Sequence, residues 1–231
     1  FMEYDDIGVH QRINAYASYA YRIKFDARNA LAIGIQGGGM YLRSDWSQVT
    51  PEEVITNPDP VFNGIDSKFL PNFGVGLYYQ TPRFYAGASV PHLLNSKLDD
   101  GTTGVSKLPR QYRHYLLTAG VVVPVGSFLK IKPSALVKMV PGQAPVQFDA
   151  NLSFLLKEII WLGSSFRFEQ AFNPESINFI AAFQLKNGLN IGYAYDFTLT
   201  ELADYTSGSH EVMIGYDIGK KGNRYRTPRY F

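Results

Sequence analysis

The stretch "FLPNFGVGLYYQTPRFYAGASVPHLLN", Phe69 to Asn95, alternates apolar with small or polar residues, turns at Thr81 and Pro82, alternates again and stops. Successive side chains of a strand point to opposite faces. Phe73, Val75, Leu77 and Tyr79 therefore share one side of the ribbon, and Asn72, Gly74, Gly76 and Tyr78 the other. A soluble sandwich with one buried and one wet face has the same period of two. The rest of the chain decides between water and lipid.

Eleven segments carry this alternation. The first, Gln11 to Phe25, sets Ile13, Ala15, Ala17, Tyr19, Tyr21 and Ile23 on one face, and the second runs to about Leu42 with Leu31, Ile33 and Ile35. The opening quotation supplies two more. The fifth to eighth present Leu117, Ala119 and Val121, then Leu129, Ile131 and Val137, then Phe148, Leu152 and Phe154, then Leu162, Phe166 and Phe168. The last three present Ile177, Phe179 and Phe183, then Ile191, Tyr193 and Phe197, then Val212, Ile214 and Tyr216. Opposite them lie Asn14, Ser18, Arg22, Lys130, Lys132, Lys138, Asp149, Asn151, Arg167, Asn178, Asp196 and Glu211, among glycines. That face is wetter than a soluble core tolerates, and fits a narrow polar lumen.

The connections alternate in length. Turns of about four residues fall near 26, 81, 125, 157 and 187, and longer links run from Arg43 to Phe69, Pro91 to Gln111, Val140 to Val146, Gln170 to Glu175 and Thr198 to Ser209. A transmembrane barrel keeps its short turns at the periplasmic end and its longer loops outside. Strands of about nine to eleven residues cross hydrocarbon when tilted. Tyr and Phe pairs near strand ends, such as Tyr78, Tyr79, Phe84 and Tyr85, suit interfacial girdles. These patterns predict an all-β, antiparallel transmembrane barrel, with lipid on the apolar face.

Composition bounds the alternatives. The 231 residues carry a formal charge of +2, which argues against a dedicated nucleic-acid binder. There is no cysteine, so disulfides, thiolate metal sites and cysteine nucleophiles are excluded. No run of about eighteen apolar residues is present; the nearest, Leu116 to Ile131, is broken by Pro124 and Gly126. No signal peptide is visible near Phe1, and "FMEYDD" reads as an acidic, turn-like start. Residue 1 is therefore expected inside a longer chain, on the long-loop side, with an odd number of upstream strands completing an even barrel. Closure is demanded because an open edge in hydrocarbon leaves backbone groups unsatisfied.

Seven ordered blocks carry a family likeness: "FLPNFGVGLYY", "FYAGASVPHLLN", "QYRHYLLTAG", "KIKPSALVK", "IGYAYDFTLTEL", "YTSGSHEVMIGYD" and the terminal "TPRYF". The chain resembles the PorP/SprF outer-membrane proteins of the type IX secretion and gliding machinery of Bacteroidota, over essentially its whole length. The resemblance implies a barrel of about fourteen strands, about eleven of them in this segment. It also implies two partner sets: periplasmic ring lipoproteins with a peptidoglycan-anchoring component, and a secreted adhesin with a type B C-terminal domain.

Residues 1–218 are read as the barrel and 219–231 as a basic, aromatic periplasmic tail. The tail "GKKGNRYRTPRYF" has five cations and no acid. Arg224, Tyr225, Arg226, Arg229, Tyr230 and Phe231 are its candidate docking residues, since Arg and aromatics are enriched in binding hot spots; a solvated end that aids membrane insertion is the rival. In the outer loops the candidates are His92, Arg110, Arg113, His114 and His210. Their plainer readings are a loop folded over the barrel mouth with Leu93 and Leu94 buried, and rim arginines paired with Asp or Glu. Ser209, His210 and Glu211 invite a hydrolase reading that strand alternation opposes. The four histidines show no metal-site spacing. Asp99 and Asp100 before Gly101 read as a solvated turn ahead of a calcium site. Lys130, Lys132 and Lys138 are expected to be neutralised by Asp149 and Glu158 or hydrated. No cofactor and no enzymatic activity are expected. A small-solute channel is the alternative to a secretion anchor.

Overall fold

The computed structural model describes residues 1–26, 28–45, 65–97, 110–185 and 188–216. The strands are β1 (Met2–Ile7), β2 (His10–Lys24), β3 (Ala30–Asp45), β4 (Ile65–Gln80), β5 (Phe84–Val90), β6 (Ser96–Lys97), β7 (Arg110–Gln111) and β8 (Tyr115–Val121). They continue with β9 (Val123–Val125), β10 (Leu129–Met139), β11 (Gln147–Leu156), β12 (Ile160–Glu169), β13 (Pro174–Gln184), β14 (Leu189–Thr198) and β15 (Ser209–Tyr216). Among the described residues the only helical element is a 3-10 turn at Glu201–Asp204, and no helix is long and apolar enough to cross a membrane.

Thirteen strands form one sheet in the order β1, β2, β3, β4, β5, β8, β10, β11, β12, β13, β14, β15, with β9 also on β10; β6 and β7 make a separate ladder. Among the described residues the pairings run as a meander from β1 to β15 and the sheet does not close on itself. Register keeps like with like: Ala150 faces Phe166, Phe166 faces Ile177 and Ile177 faces Phe197, while Asp149 faces Arg167 and Asn178 faces Asp196. A slip of one residue would reverse every side chain.

The short turns have local causes. Asp26 accepts the amides of Arg28 and Asn29 at 2.6 and 2.7 Å, which holds its carboxyl below the usual carboxylate range. Thr81 closes the next hairpin: its amide donates to the Phe84 carbonyl and its hydroxyl oxygen accepts the Phe84 amide. Lys157 and Glu158 both adopt positive φ, as a two-residue hairpin turn requires.

The chain packs as two compact units: the described parts of Phe1–Tyr21, Ile33–Gly76 and Ser89–His114, and those of Arg22–Ala32, Leu77–Ala88 and Tyr115–Phe231. Each inverts the soluble pattern. In the first, Phe73 is 55% exposed and Asn72 0%. In the second, Phe179 is 52% exposed while Asp149 is buried. Exposed large apolar rows opposite buried polar groups are the arrangement water disfavours and lipid accommodates.

Three expectations need correction. "FMEYDD" is not a turn: Met2–Ile7 pairs with the first part of β2, with Met2 opposite Ala15 and Glu3 opposite Asn14. Residue 1 therefore lies beside the middle of β2 and not on the long-loop side as expected, so the parity that called for an odd number of upstream strands does not hold; its ammonium donates to the Tyr16 carbonyl at 3.0 Å. The fifth strand, expected to run from Tyr115 to Val123 with a turn from Pro124, is interrupted at Val122, which donates to the Arg83 carbonyl, and β9 takes in Pro124 and Val125. Of the aromatics assigned to a girdle, Tyr79 and Phe84 are exposed, but Tyr85 is buried and stacks on Tyr78 at 5.8 Å on the opposite face. Adjacent residues of a strand cannot share a face.

Candidate functional site

In the first unit, the chain leaving β5 bends at Pro91 and runs on beside β4, lying against its non-apolar face at Gly74. A β-carbon at Gly74 would stand 2.6 Å from the Pro91 carbonyl oxygen, so glycine is what allows the two backbones to touch. Pro91–Leu94 is then tied down through its main chain. The Leu93 amide donates to the Phe73 carbonyl at 2.8 Å. Arg113 donates to the Leu93 carbonyl through Nε at 3.0 Å and Nη2 at 2.8 Å. Asn72 accepts the Leu94 amide on Oδ1 at 3.1 Å and donates from Nδ2 to the Leu94 carbonyl at 3.0 Å.

His92 lies in this segment between two rings, Tyr16 at 5.8 Å and His114 at 6.4 Å, both edge-on. Burial, and then the neighbouring His114, lower its pKa below the ordinary histidine value. Four of the predicted loop residues thus separate by role. His92, Arg113 and His114 meet around the Pro91–Leu94 segment, with Arg113 on a carbonyl where an Asp or Glu partner was expected. Arg110 pairs in register with Lys97 in the small β6–β7 ladder. Leu94 is exposed, against the expectation that it is buried.

His210 is not in a loop. It lies in β15 opposite Tyr195, on the apolar face, with Nδ1 2.6 Å from the Tyr193 hydroxyl and its ring 4.8 Å from that of Tyr195. Ser209 faces Asp196 on the other side of the strand. Further along this end of the second unit, Phe148, Phe168 and Phe172 stack at 5.4 Å spacings. These rings are girdle material: large amphipathic or apolar groups at the long-loop ends of strands.

The opposite face of the second unit carries charge, arranged in pairs. Asp149 accepts from Arg167 Nε at 2.7 Å and lies 3.2 Å from Lys138 Nζ; Lys130 bonds Glu158 at 2.6 Å. This agrees with the expected neutralisation. Gln147 donates to Glu175. Lys132 departs from the hydrated reading, since it is buried with its ammonium 5.2 Å over the Trp161 ring. Trp161, Leu155 and Ala182 form a buried apolar cluster toward the short-turn ends. Sequence reasoning missed that cluster, although the outward assignment of Leu162 already implied that Trp161 points the other way.

Among the described residues no group of three or more His, Asp or Glu could hold a metal ion. Asp99, Asp100 and the tail from 219 to 231, with Arg224, Tyr225, Arg226, Arg229, Tyr230 and Phe231, lie outside the described residues.

A family model, that of the type IX secretion system membrane protein PorP/SprF, matches residues 2–216. The chain belongs to the PorP/SprF family. No curated protein matches it. As a PorP/SprF protein it is a membrane component of type IX secretion, and it works with other components of that machinery. The exposed apolar rows, the aromatic belt and the paired charges opposite them are the physical counterpart of that assignment.

Proposed function

We propose that this chain is an integral outer-membrane β-barrel that couples periplasmic ring lipoproteins and a peptidoglycan-binding component to the export or surface retention of a secreted adhesin bearing a type B C-terminal domain. The family match over residues 2–216 carries the reading. Lipid covers the apolar rows, and further strands close the edges left at β1 and β15, because unpaired backbone groups are costly in hydrocarbon. The barrel acts without a cofactor and without catalysis. The tail from 219 to 231 reaches the periplasmic partners, and the long loops face the secreted one.

Buried Leu155, Trp161 and Ala182 on the enclosed face favour an anchor over a solute channel, whose lumen would be lined by hydrated polar groups. The test is affinity purification from native outer membranes. Co-purification of ring lipoproteins with a secreted adhesin supports the reading. A chain recovered alone, under conditions that keep the secretion machine intact, contradicts it.

A further inference from the structure

Among the described residues, the ionic side chains on the polar face of the second unit gather at the two ends of its strands, and the ends differ in sign. Toward the short turns stand Arg22 and Lys24 of β2, Arg83, Lys130 and Lys132 of β10, and Lys157, against one acid, Glu158. Asp26 and Arg28 in the first short turn cancel. Toward the long loops, Lys138 and Arg167 meet five acids, Asp149, Glu169, Glu175, Asp196 and Glu211. A neutral band with Ser134, Asn151, Ser153 and Ser165 lies between. Register fixes the basic end. Gly120 packs on Tyr85, which sets Val122 opposite Arg83, and the Arg83 carbonyl accepts the Val122 amide at 2.7 Å. Val122 is buried between the exposed Val121 and Val123, so it and Arg83 share the polar face. Lys130 stands opposite buried Leu155 and is bonded to Glu158, and Lys132 lies over Trp161.

We propose that this basic end is a docking site for an acidic polypeptide segment that approaches from the short-turn side. A surface of one sign concentrates ligands of the other. Three observations select the occupant. The cations stand on the face opposite the apolar rows, so a bilayer against those rows does not cover them. A small anion passing along the face would meet buried Leu155 and Trp161 and then an end with excess acid, so the field holds a ligand at the mouth and does not pass it on. The charge spreads from β2 to β11, six strand spacings or about 29 Å, which suits carboxylates distributed along a chain better than one compact ion. The inference deepens the proposed coupling to periplasmic components by giving their contact a sign. It rests on that reading only for the compartment from which the segment comes.

The probe is a fluorescent peptide of alternating Glu and Gly, blocked at both ends, titrated into the full chain in uncharged detergent micelles and followed by anisotropy. Arg83→Gln with Lys157→Gln removes two exposed cations that form no ion pair among the described residues. The double variant is expected to bind about three- to tenfold more weakly, the scale of two exposed charge pairs. Binding to the unaltered chain should fade as salt rises beyond physiological strength, where charges are screened over about 8 Å. Glu169→Gln with Glu175→Gln, at the other end, should leave affinity unchanged. If the double variant misfolds, Arg83→Gln and Lys157→Gln taken singly carry the test. Equal affinity of the unaltered chain and the double variant overturns the proposal, and assigns the signal to the cations of residues 219–231, which both chains share. So does tighter binding of inorganic polyphosphate of equal charge, which would make the site one for phosphates. A chain that folds in plain buffer refutes the barrel, and the same titration without detergent still decides the docking site.

Discussion

The Asp149 carboxylate is held between Arg167 on β12, at 2.7 Å, and Lys138 on β10, at 3.2 Å, and is almost wholly shielded from solvent. One anion thus links three neighbouring strands. Removing it strands two cations on the polar face, both about a third exposed and so partly screened. Asp149→Ala is expected to cost about 1–2 kcal/mol in urea unfolding from lipid vesicles, the scale of a lost charged hydrogen bond after screening. Glu158→Ala, whose pair with Lys130 is half exposed, should shift the midpoint far less. Equal effects would argue that the Asp149 link carries nothing.

Gly120 faces the ring of Tyr85, with a β-carbon there 2.6 Å from Tyr85 Cε1. Gly120→Ala should destabilise by about 1–3 kcal/mol through overpacking, because Tyr85 is buried against Tyr78 and has little room to yield. In a Tyr85→Ala background the same change should cost at least about 1 kcal/mol less, the coupling of residues in contact. Gly34→Ala, where the nearest atom would be at 3.7 Å, should leave stability unchanged.

Charge placed on the apolar face should be costly in lipid. Phe179→Lys, on the exposed apolar row of β13, is expected to lose about 2–4 kcal/mol near the bilayer centre. Ser18→Lys, exposed on the opposite face of β2, should lose little. Unfolding titrations in vesicles of one lipid composition make the comparison.

Acid should loosen the Pro91–Leu94 segment. His92 has a native pKa below its ordinary value of about 6.5, so its surroundings favour the neutral ring. The contribution is then complete above about pH 6.5 and is lost as pH falls through the lowered native value. Tyr16, His114 and Arg113 are the groups that face it. Hydrogen-exchange protection of the Leu93 amide, corrected for the intrinsic rate, is expected to drop between pH 7.5 and 5. His92→Gln should flatten that dependence; an unchanged pH profile in the variant would refute the role of His92.

The strands were legible because a two-faced environment writes a strict period of two, and β10 at Leu129–Met139 matches its sequence reading at both ends. What escaped depended on contacts between distant residues. Nothing local in "VPHLLN" tells that Asn72, more than twenty residues earlier, takes both main-chain groups of Leu94. Trp161 and Lys132 sit on the face read as polar, and only the register of β10 to β12 brings them together. β1 was passed over because Met2 and Tyr4 alternate with Glu3 and Asp5, a pattern its acidity disguised as a turn.

The account stands on lipid covering one face of these strands. The chain has no cysteine, so single cysteines placed along β4 at Phe73, Val75, Gly76, Leu77 and Tyr78 report one site at a time. In lipid vesicles, probes attached at Phe73, Val75 and Leu77 should be quenched by brominated acyl chains, and those at Gly76 and Tyr78 should not. Quenching with no alternation, or a protein folded and monodisperse in buffer without detergent or lipid, would contradict the account.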